Sequence, residues 1–378
     1  MAMIKATAVF LGFGLAAAAV PALAEQAFDT SAGRVRLETV AAGLDHPWSL
    51  AFLPDGAMLV TERPGTVRIV GPDGSLSAPL PGAPATQDWG QGGMLDIVLD
   101  PNFAANGMIY LSFAEIEGGK AGTAVARARL VREGGPPRLE DTQVIFRMTG
   151  KTGSTRHFGS RFVFAPDGML FVTLGDRGDM ERAQDTADHA GSVIRIAPDG
   201  TVPADNPFVD GGGLPEIWSI GHRNLQGAAI NPATGVLWTV EHGARGGDEI
   251  NIPRAGRNYG WPVISYGRHY SGGKIGIGTA KEGMEQPVHY WDPSIAPSGM
   301  AFYTGDRFPA WTGDVFVGAL RGAHVARLAL DGDSVAAEET LFDELGERIR
   351  DIRQGPDGYL YLVTDSGDGR ILRVVPAE

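Results

Sequence analysis

The sequence predicts an all-β fold, a six-bladed β-propeller of four-stranded antiparallel blades, and three observations carry that prediction. One hairpin unit recurs six times, its turns are Pro-Asp-Gly or close variants, and no convincing amphipathic helix separates the copies. Period-2 alternation joined by such turns is the grammar of antiparallel hairpins. Copies run from Ser49 to Thr61, from Leu95 to Phe103 leading on to Met108 to Ser112, and from Arg161 to Thr173. The others run from Gln226 to Thr239, from Ser298 to Tyr303 resuming at Gly313 to Gly318, and from Asp351 to Thr364. Third strands follow several of them, at Gly65 to Val70, Gly191 to Ile196, His324 to Leu328 and Gly369 to Val374. Repetition at about 45 to 70 residues fits propeller blades. A sandwich of this length would not repeat its hairpin six times. Val35 to Thr39 is the expected closing strand, pairing with the last blade to remove an open edge.

Residues 1–24 read as a secretory signal peptide: Lys5, an apolar run from Ala6 to Val20, then the small-x-small site Ala22-Leu23-Ala24. Residues 25–378 then form a single propeller domain. Loss of Lys5 changes the formal net charge from -13 to -14, by subtraction of one cation. An acidic surface disfavours nucleic acid and anionic membranes as partners. No cysteine is present, so neither disulfides nor thiolate metal sites are available. The expected location is periplasmic or secreted, without membrane insertion, as a monomer or homodimer.

Polar residues gather where the blades begin and end. Trp89-Gly90-Gln91 precedes the second; Arg156-His157 precedes the third and Gly175-Asp176-Arg177 follows it. Gly221-His222-Arg223-Asn224 precedes the fourth, which runs into Glu241-His-Gly-Ala-Arg-Gly-Gly-Asp-Glu249. Leu320-Arg321 ends the fifth, and Arg348-Ile-Arg350 opens the sixth. Such positions converge on one end of an axial channel. Several arginines there, on an acidic protein, imply a small polyanion, since guanidinium pairs carboxylate or phosphate bidentately. The glycine-rich acidic loop offers the hard oxygen that Ca²⁺ prefers.

With His46-Pro-Trp-Ser-Leu50, Gly90-Gln-Gly-Gly-Met-Leu-Asp96, His157-Phe-Gly-Ser-Arg161 and Gly221-His-Arg-Asn-Leu-Gln-Gly227, the chain resembles the soluble pyrroloquinoline-quinone (PQQ)-dependent sugar dehydrogenases, in their aldose dehydrogenase branch. The resemblance covers nearly all of the mature chain. It implies His157 as general base, Asp176 beside it, and Arg223 polarising the quinone carbonyl that accepts hydride. Gln91, Arg223, Asn224, Arg321, Arg348 and Arg350 match cofactor contacts. A catalytic Ca²⁺ would use the backbone carbonyls of Gly243 and Ala244, and a structural one Glu249 and Tyr259. His242 and Ala244 depart from the Gln and Pro of the better-known glucose enzyme, and the loops after Arg177 and from Ile264 to Tyr290 are not recognisably its own.

The expected function is oxidation of aldose sugars at C1 to the lactone, with electrons passing to an acceptor the sequence does not identify. Two alternatives stand beside it: a calcium-dependent lactone or ester hydrolase on the same architecture, and a non-catalytic propeller binding glycan or protein. Fold alone does not choose among them.

Overall fold

Six small sheets, arranged as the blades of a propeller, make up the computed structural model, which describes residues 26–377. The predicted signal peptide and its cleavage site lie outside the described residues. Among the described residues, no helix is long and apolar enough to cross a membrane.

Blade 1 holds Pro47–Phe52, Met58–Glu62 and Thr66–Val70, three strands where four were expected. Blade 2 is the longest hairpin set: Met94–Leu99, Met108–Glu117, Lys120–Val131 and Arg138–Arg147. Blade 3 (Phe162–Phe164, Leu170–Thr173, Ser192–Ile196, Ile217–Ile220) gains a fifth, parallel strand, Arg257–Asn258, which reaches across from the loop of blade 4. Blade 4 contains Leu225–Ile230, Leu237–Glu241, Asp248–Asn251 and His289–Trp291; blade 5 contains Pro297–Phe302, Val315–Ala319, Val325–Asp331 and Ser334–Leu341. Blade 6 starts with Ile349–Gln354, Leu360–Thr364 and Gly369–Pro376 and is completed by the N-terminal strands Gly33–Leu44 and Ala27–Thr30. Val35 lies opposite Pro376 and Thr39 opposite Leu372, so the expected closure is present and extends beyond the five predicted residues.

The recurring turn explains why the hairpins form where they do. In Pro54-Asp55-Gly56 the glycine takes φ 86°, and the Asp55 carboxylate accepts the Ala57 N–H at 3.2 Å. Asp167-Gly168 and Asp357-Gly358 repeat the arrangement, with φ of 83° and 81°. Aspartate closes the turn on itself and glycine supplies the left-handed residue at no steric cost.

Each inner hairpin of blades 1, 2, 4, 5 and 6 carries an irregularity at the same end. In blade 1 Pro47 pairs with Glu62 and Ser49 with Thr61, leaving Trp48 extra; in blades 4 and 6 the extra residues are Gln226 and Arg350. A bulge re-aims the side chain it carries. Here it turns successive inner strands toward one another at the channel mouth.

Apolar side chains fill the seams between blades. Leu59, Val67, Ile97 and Leu111 pack blade 1 on blade 2, and Trp238, Val240, Val315 and Val317 pack blade 4 on blade 5. The axis itself is polar and closed. Arg161 Nη1 lies 2.9 Å from Asp96 and 3.2 Å from Asp351, and Arg353 reaches the same two acids at 2.9 Å each. Ser49 Oγ donates to Asp96 at 2.6 Å, and Arg161 Nε donates to the Gln226 carbonyl. This clasp joins blades 1, 2, 3, 4 and 6.

Candidate active site

Above the clasp opens a cavity of about 530 Å³. Gln91, Asn224, Arg348 and Arg350 line it, together with His46, Arg63, Gln226, His242 and Asp365. Trp48 separates clasp from cavity, with Arg161 4.2 Å from its ring and Arg350 5.9 Å from it. The basic wall is organised by one acid: Asp365 Oδ2 accepts from Arg348 Nη2 and Arg350 Nη2 at 2.9 Å each, and its Oδ1 faces His46 Nδ1 at 3.3 Å. Burial works to raise the Asp365 pKa, but the two guanidinium groups hold it far below the ordinary carboxylate range. Arg350 Nη1 is also fixed by Gln226 Oε1 at 3.1 Å.

His157 does not itself line this cavity, though its loop is bonded to two residues that do. Its backbone N–H donates to Gln91 Oε1 at 2.8 Å, and the N–H of Gly159 donates to Asn224 Oδ1 at 3.2 Å. Two cavity-lining side chains thus hold the chain on either side of the imidazole. Its φ of 55° is an unusual backbone state for a non-glycine residue. Arg177 braces the same loop, with its guanidinium 3.4 Å from the Phe158 ring and bonded to the carbonyls of Ser154 and Arg156.

The imidazole is oriented by Asp176, whose Oδ1 accepts from His157 Nδ1 at 2.6 Å. Asp176 Oδ2 accepts from Trp261 Nε1 at 2.9 Å. An ionised carboxylate only accepts, so Nδ1 carries the proton and Nε2 presents a lone pair. Burial lowers the His157 pKa, helped by the charges of Arg223 and Arg156, and outweighs Asp176, which acts to raise it. For Asp176 itself burial acts upward, but His157 and Arg223 bring the pKa below its usual value. The dyad is a neutral imidazole beside a carboxylate, the resting state of a general base.

A second, small cavity of about 10 Å³ lies between Arg223, Glu241, Gly243, Glu249 and Tyr259. Glu241 is heavily used: it accepts from His222 Nδ1 at 2.8 Å, from the Arg223 N–H at 2.6 Å and from Asn251 at 3.1 Å. Glu249 has no cation in ion-pair range among the described residues, and burial with the charge of Glu241 pushes its pKa up to about 8. Asn251 Oδ1 is buried without a partner. Two carboxylates thus line a small void whose one cation among the described residues, Arg223, is in ion-pair range of neither. Tyr259 is brought there by the parallel strand Arg257–Asn258, and its ring stacks on His222 at 4.7 Å.

Among the remaining predicted residues, Gly243 faces this void. A Cβ there would lie 2.2 Å from the Gly246 carbonyl, so the tight loop requires glycine. Its N–H donates to Asp248 Oδ1 at 2.8 Å. Ala244 packs its methyl with Trp261, Ile275 and Ala183. Arg223 lines the small cavity rather than the large one, and its Nη1 donates to the carbonyls of Gly243 and, at 3.2 Å, His242. Arg321 is exposed and does not line the large cavity, where its neighbour Leu320 does.

Asp365, Arg63 and Arg177 escaped the sequence reading as site residues, and so did His46 and Gln226, although both stand in quoted motifs. Asp365 had a signal: it follows the sixth hairpin as Glu62 follows the first and Glu241 the fourth. His46 had none, because its place depends on a φ of 46°.

The family model for Glucose / Sorbosone dehydrogenase matches residues 44–373. Aldose sugar dehydrogenase YliI of Escherichia coli is 47% identical over 347 residues, 90% of this chain and 93% of that protein. The crystal structure of the soluble aldose sugar dehydrogenase from Escherichia coli in the apo-form superimposes with a TM-score of 0.88 at 46% identity, covering 91% of this chain and 100% of that one. The PQQ-bound form of aldose sugar dehydrogenase from Streptomyces coelicolor gives 0.75 at 32% identity, covering 89% and 96%.

Proposed function

The chain belongs to the glucose/sorbosone dehydrogenase family, and from that premise we propose that it oxidises aldose sugars at C1 to the lactone, using PQQ and Ca²⁺, with His157 as general base. The observation that carries this reading is the His157–Asp176 pair, with Nδ1 tied down at 2.6 Å and Nε2 left as the acceptor.

The residues suit both groups. Arg348 and Arg350 present guanidinium to the large cavity and share one carboxylate between them, so an anionic ligand adds the charge they lack. The small void lined by Glu241 and Glu249, with no cation paired to Glu249 among the described residues and the Glu249 carboxyl pKa raised by burial, suits a hard cation. When bound, the quinone supplies the hydride acceptor and the metal polarises it.

The chain's own part is positional and acid–base. His157 Nε2 takes the proton of the anomeric hydroxyl as the hydride leaves C1, converting the hemiacetal to the lactone. Asp176 fixes the tautomer and stabilises the imidazolium that results. Gln91 and Asn224 hold the loop that carries the base, and Arg348 and Arg350 hold the anion. A calcium-dependent hydrolase would gather metal-ligating acids from several blades. Among the described residues no group of three or more His, Asp or Glu is placed to share a metal, and the large cavity is richer in arginine than in acids.

Purified protein given PQQ, Ca²⁺, an artificial dye and a panel of mono- and disaccharides is expected to reduce the dye. His157→Gln should lower the rate about 10²–10⁴-fold with quinone still bound in a visible-absorbance titration. Hydrolysis of lactones without any quinone, and no dye reduction, would replace this reading by the hydrolase.

A further inference from the structure

Arg223 is a buried cation with no carboxylate in ion-pair range among the described residues; only 6% of it is exposed. Taking a guanidinium out of water without a counter-charge is expensive unless other groups solvate it. Here the solvating groups are backbone oxygens: Nη1 donates to the Gly243 and His242 carbonyls, and Trp261 lies 5.3 Å from Cζ. The backbone of Arg223 is fixed at both ends, its N–H on Glu241 Oε2 and its carbonyl accepting from Asp176 N at 2.8 Å. The Gly243 N–H, in the same peptide unit as the His242 carbonyl, is anchored on Asp248, which also accepts from Ser294, Ile295 and Ala296. The Arg223 side chain itself is held only by those two carbonyls and the Trp261 ring.

We propose that the Arg223 guanidinium is the resident cation of the Gly243 carbonyl and competes with a divalent cation for it. Metal binding at Gly243 then expels the guanidinium, which becomes available to an anionic ligand in the adjoining cavity, on whose wall Asn224 and His242 lie. Metal loading and arming of the anion site become one event. This inference rests on the proposed metal at Gly243.

The test uses Tb³⁺ as a calcium probe, without quinone, with luminescence sensitised through Trp261. Glu249→Gln serves as the parent, to remove the neighbouring carboxylate site, and is compared with the doubles carrying Arg223→Gln or Arg223→Lys, all checked by circular dichroism. Arg223→Gln is expected to tighten Tb³⁺ binding by about tenfold or more, and Arg223→Lys, which keeps a charge, to change it far less. Equal affinity in parent and Gln double overturns the competition while leaving the metal site standing. Absence of Tb³⁺ binding in parent and Gln double overturns the metal reading itself and the inference with it. Should the Gln double not fold, a crystal structure of the Ca²⁺-soaked wild-type protein decides: metal on the Gly243 carbonyl with Arg223 turned away supports the inference, and both cations on that oxygen overturn it.

Discussion

The axis of the channel and its mouth treat buried charge in opposite ways. On the axis, Arg161 and Arg353 face Asp96 and Asp351, two cations for two anions, with all four pairs within 3.2 Å. At the mouth Arg348 and Arg350 share Asp365, Arg223 rests on carbonyls, and Glu249 has no cation among the described residues. A balanced cluster is neutral as it stands, even though Arg161 Nη2 and Asp351 Oδ1 are left without a partner. An unbalanced one is stable only if something further neutralises it, which is why perturbed groups gather at binding sites. The sign of each imbalance then gives the sign of the missing ligand: an anion beside Arg348 and Arg350, a cation beside Glu249.

Breaking the balanced side should give the largest effect. Asp96→Ala leaves Arg161 and Arg353 with Asp351 alone, and removing one partner of a buried pair costs about 3–5 kcal/mol. Urea denaturation reads this directly; a loss below about 1 kcal/mol would mean that the clasp is no more than a surface-type pairing.

On the unbalanced side, Asp176→Asn should cut turnover about 10²-fold with little change in quinone affinity. The pH profile separates positioning from damage. Because the folded His157 pKa lies below its ordinary value, the base is neutral above that depressed value, and activity falls only as pH drops through it. Asp176 acts to raise that pKa, so its removal should move the acid limb to still lower pH; a limb that moves upward would contradict the assigned cause.

Arg350→Ala should weaken quinone binding about 10- to 100-fold, the range for a charged hydrogen bond of about 1.5–3 kcal/mol, and lower the salt sensitivity of what remains. An unchanged titration would show that the basic wall is turned away from the anion. The smallest effect belongs to Glu249→Gln. Calcium should raise the melting temperature of the wild type by a few degrees, in the way any ligand selective for the folded state does, and this gain should disappear in the variant while turnover of the fully loaded enzyme stays nearly the same. Equal loss of both would show that the two metal roles are wrongly divided.

The hairpins were legible because their turn chemistry is local: Asp55, Asp167 and Asp357 each bond within their own turn, so three residues suffice to announce them. The blade edges were not, because edges depend on what lies beside them. Blade 1 stops at three strands, and Arg257–Asn258 joins a blade that precedes it in the chain. The site divides along the same line. Motifs flanking the strands pointed to His157, Asp176, Asn224 and Arg350; Asn224 and Arg350 line the large cavity, and the His157–Asp176 pair lies one layer back, joined to it through Gln91 and Asn224. Arg321 shared the pattern and lies outside, since the chain turns at Leu320 and presents that residue instead. Asp365 stood at the end of its hairpin as Glu62 and Glu241 do, but its role needed a three-dimensional fact, that Arg348 and Arg350 would share it. The weight given to Gly243 as a metal contact likewise had no means of foreseeing a guanidinium already on its carbonyl.

The ring is closed where its two ends meet, and the basic wall of the cavity sits on that seam. His46, at the entry to blade 1, donates its N–H to the Ser366 carbonyl of blade 6 at 2.8 Å and faces Asp365 with its ring. The Arg63 N–H in turn donates to the His46 carbonyl at 3.1 Å. A ligand held by Arg348 and Arg350 from blade 6 and touching His46 or Arg63 from blade 1 therefore staples the first blade to the last. Opening the propeller requires this seam to part, so occupancy should slow unfolding and proteolysis more than it shifts a melting curve. Cargo and clasp would be one object, and the protein's lifetime would depend on whether that cavity is filled.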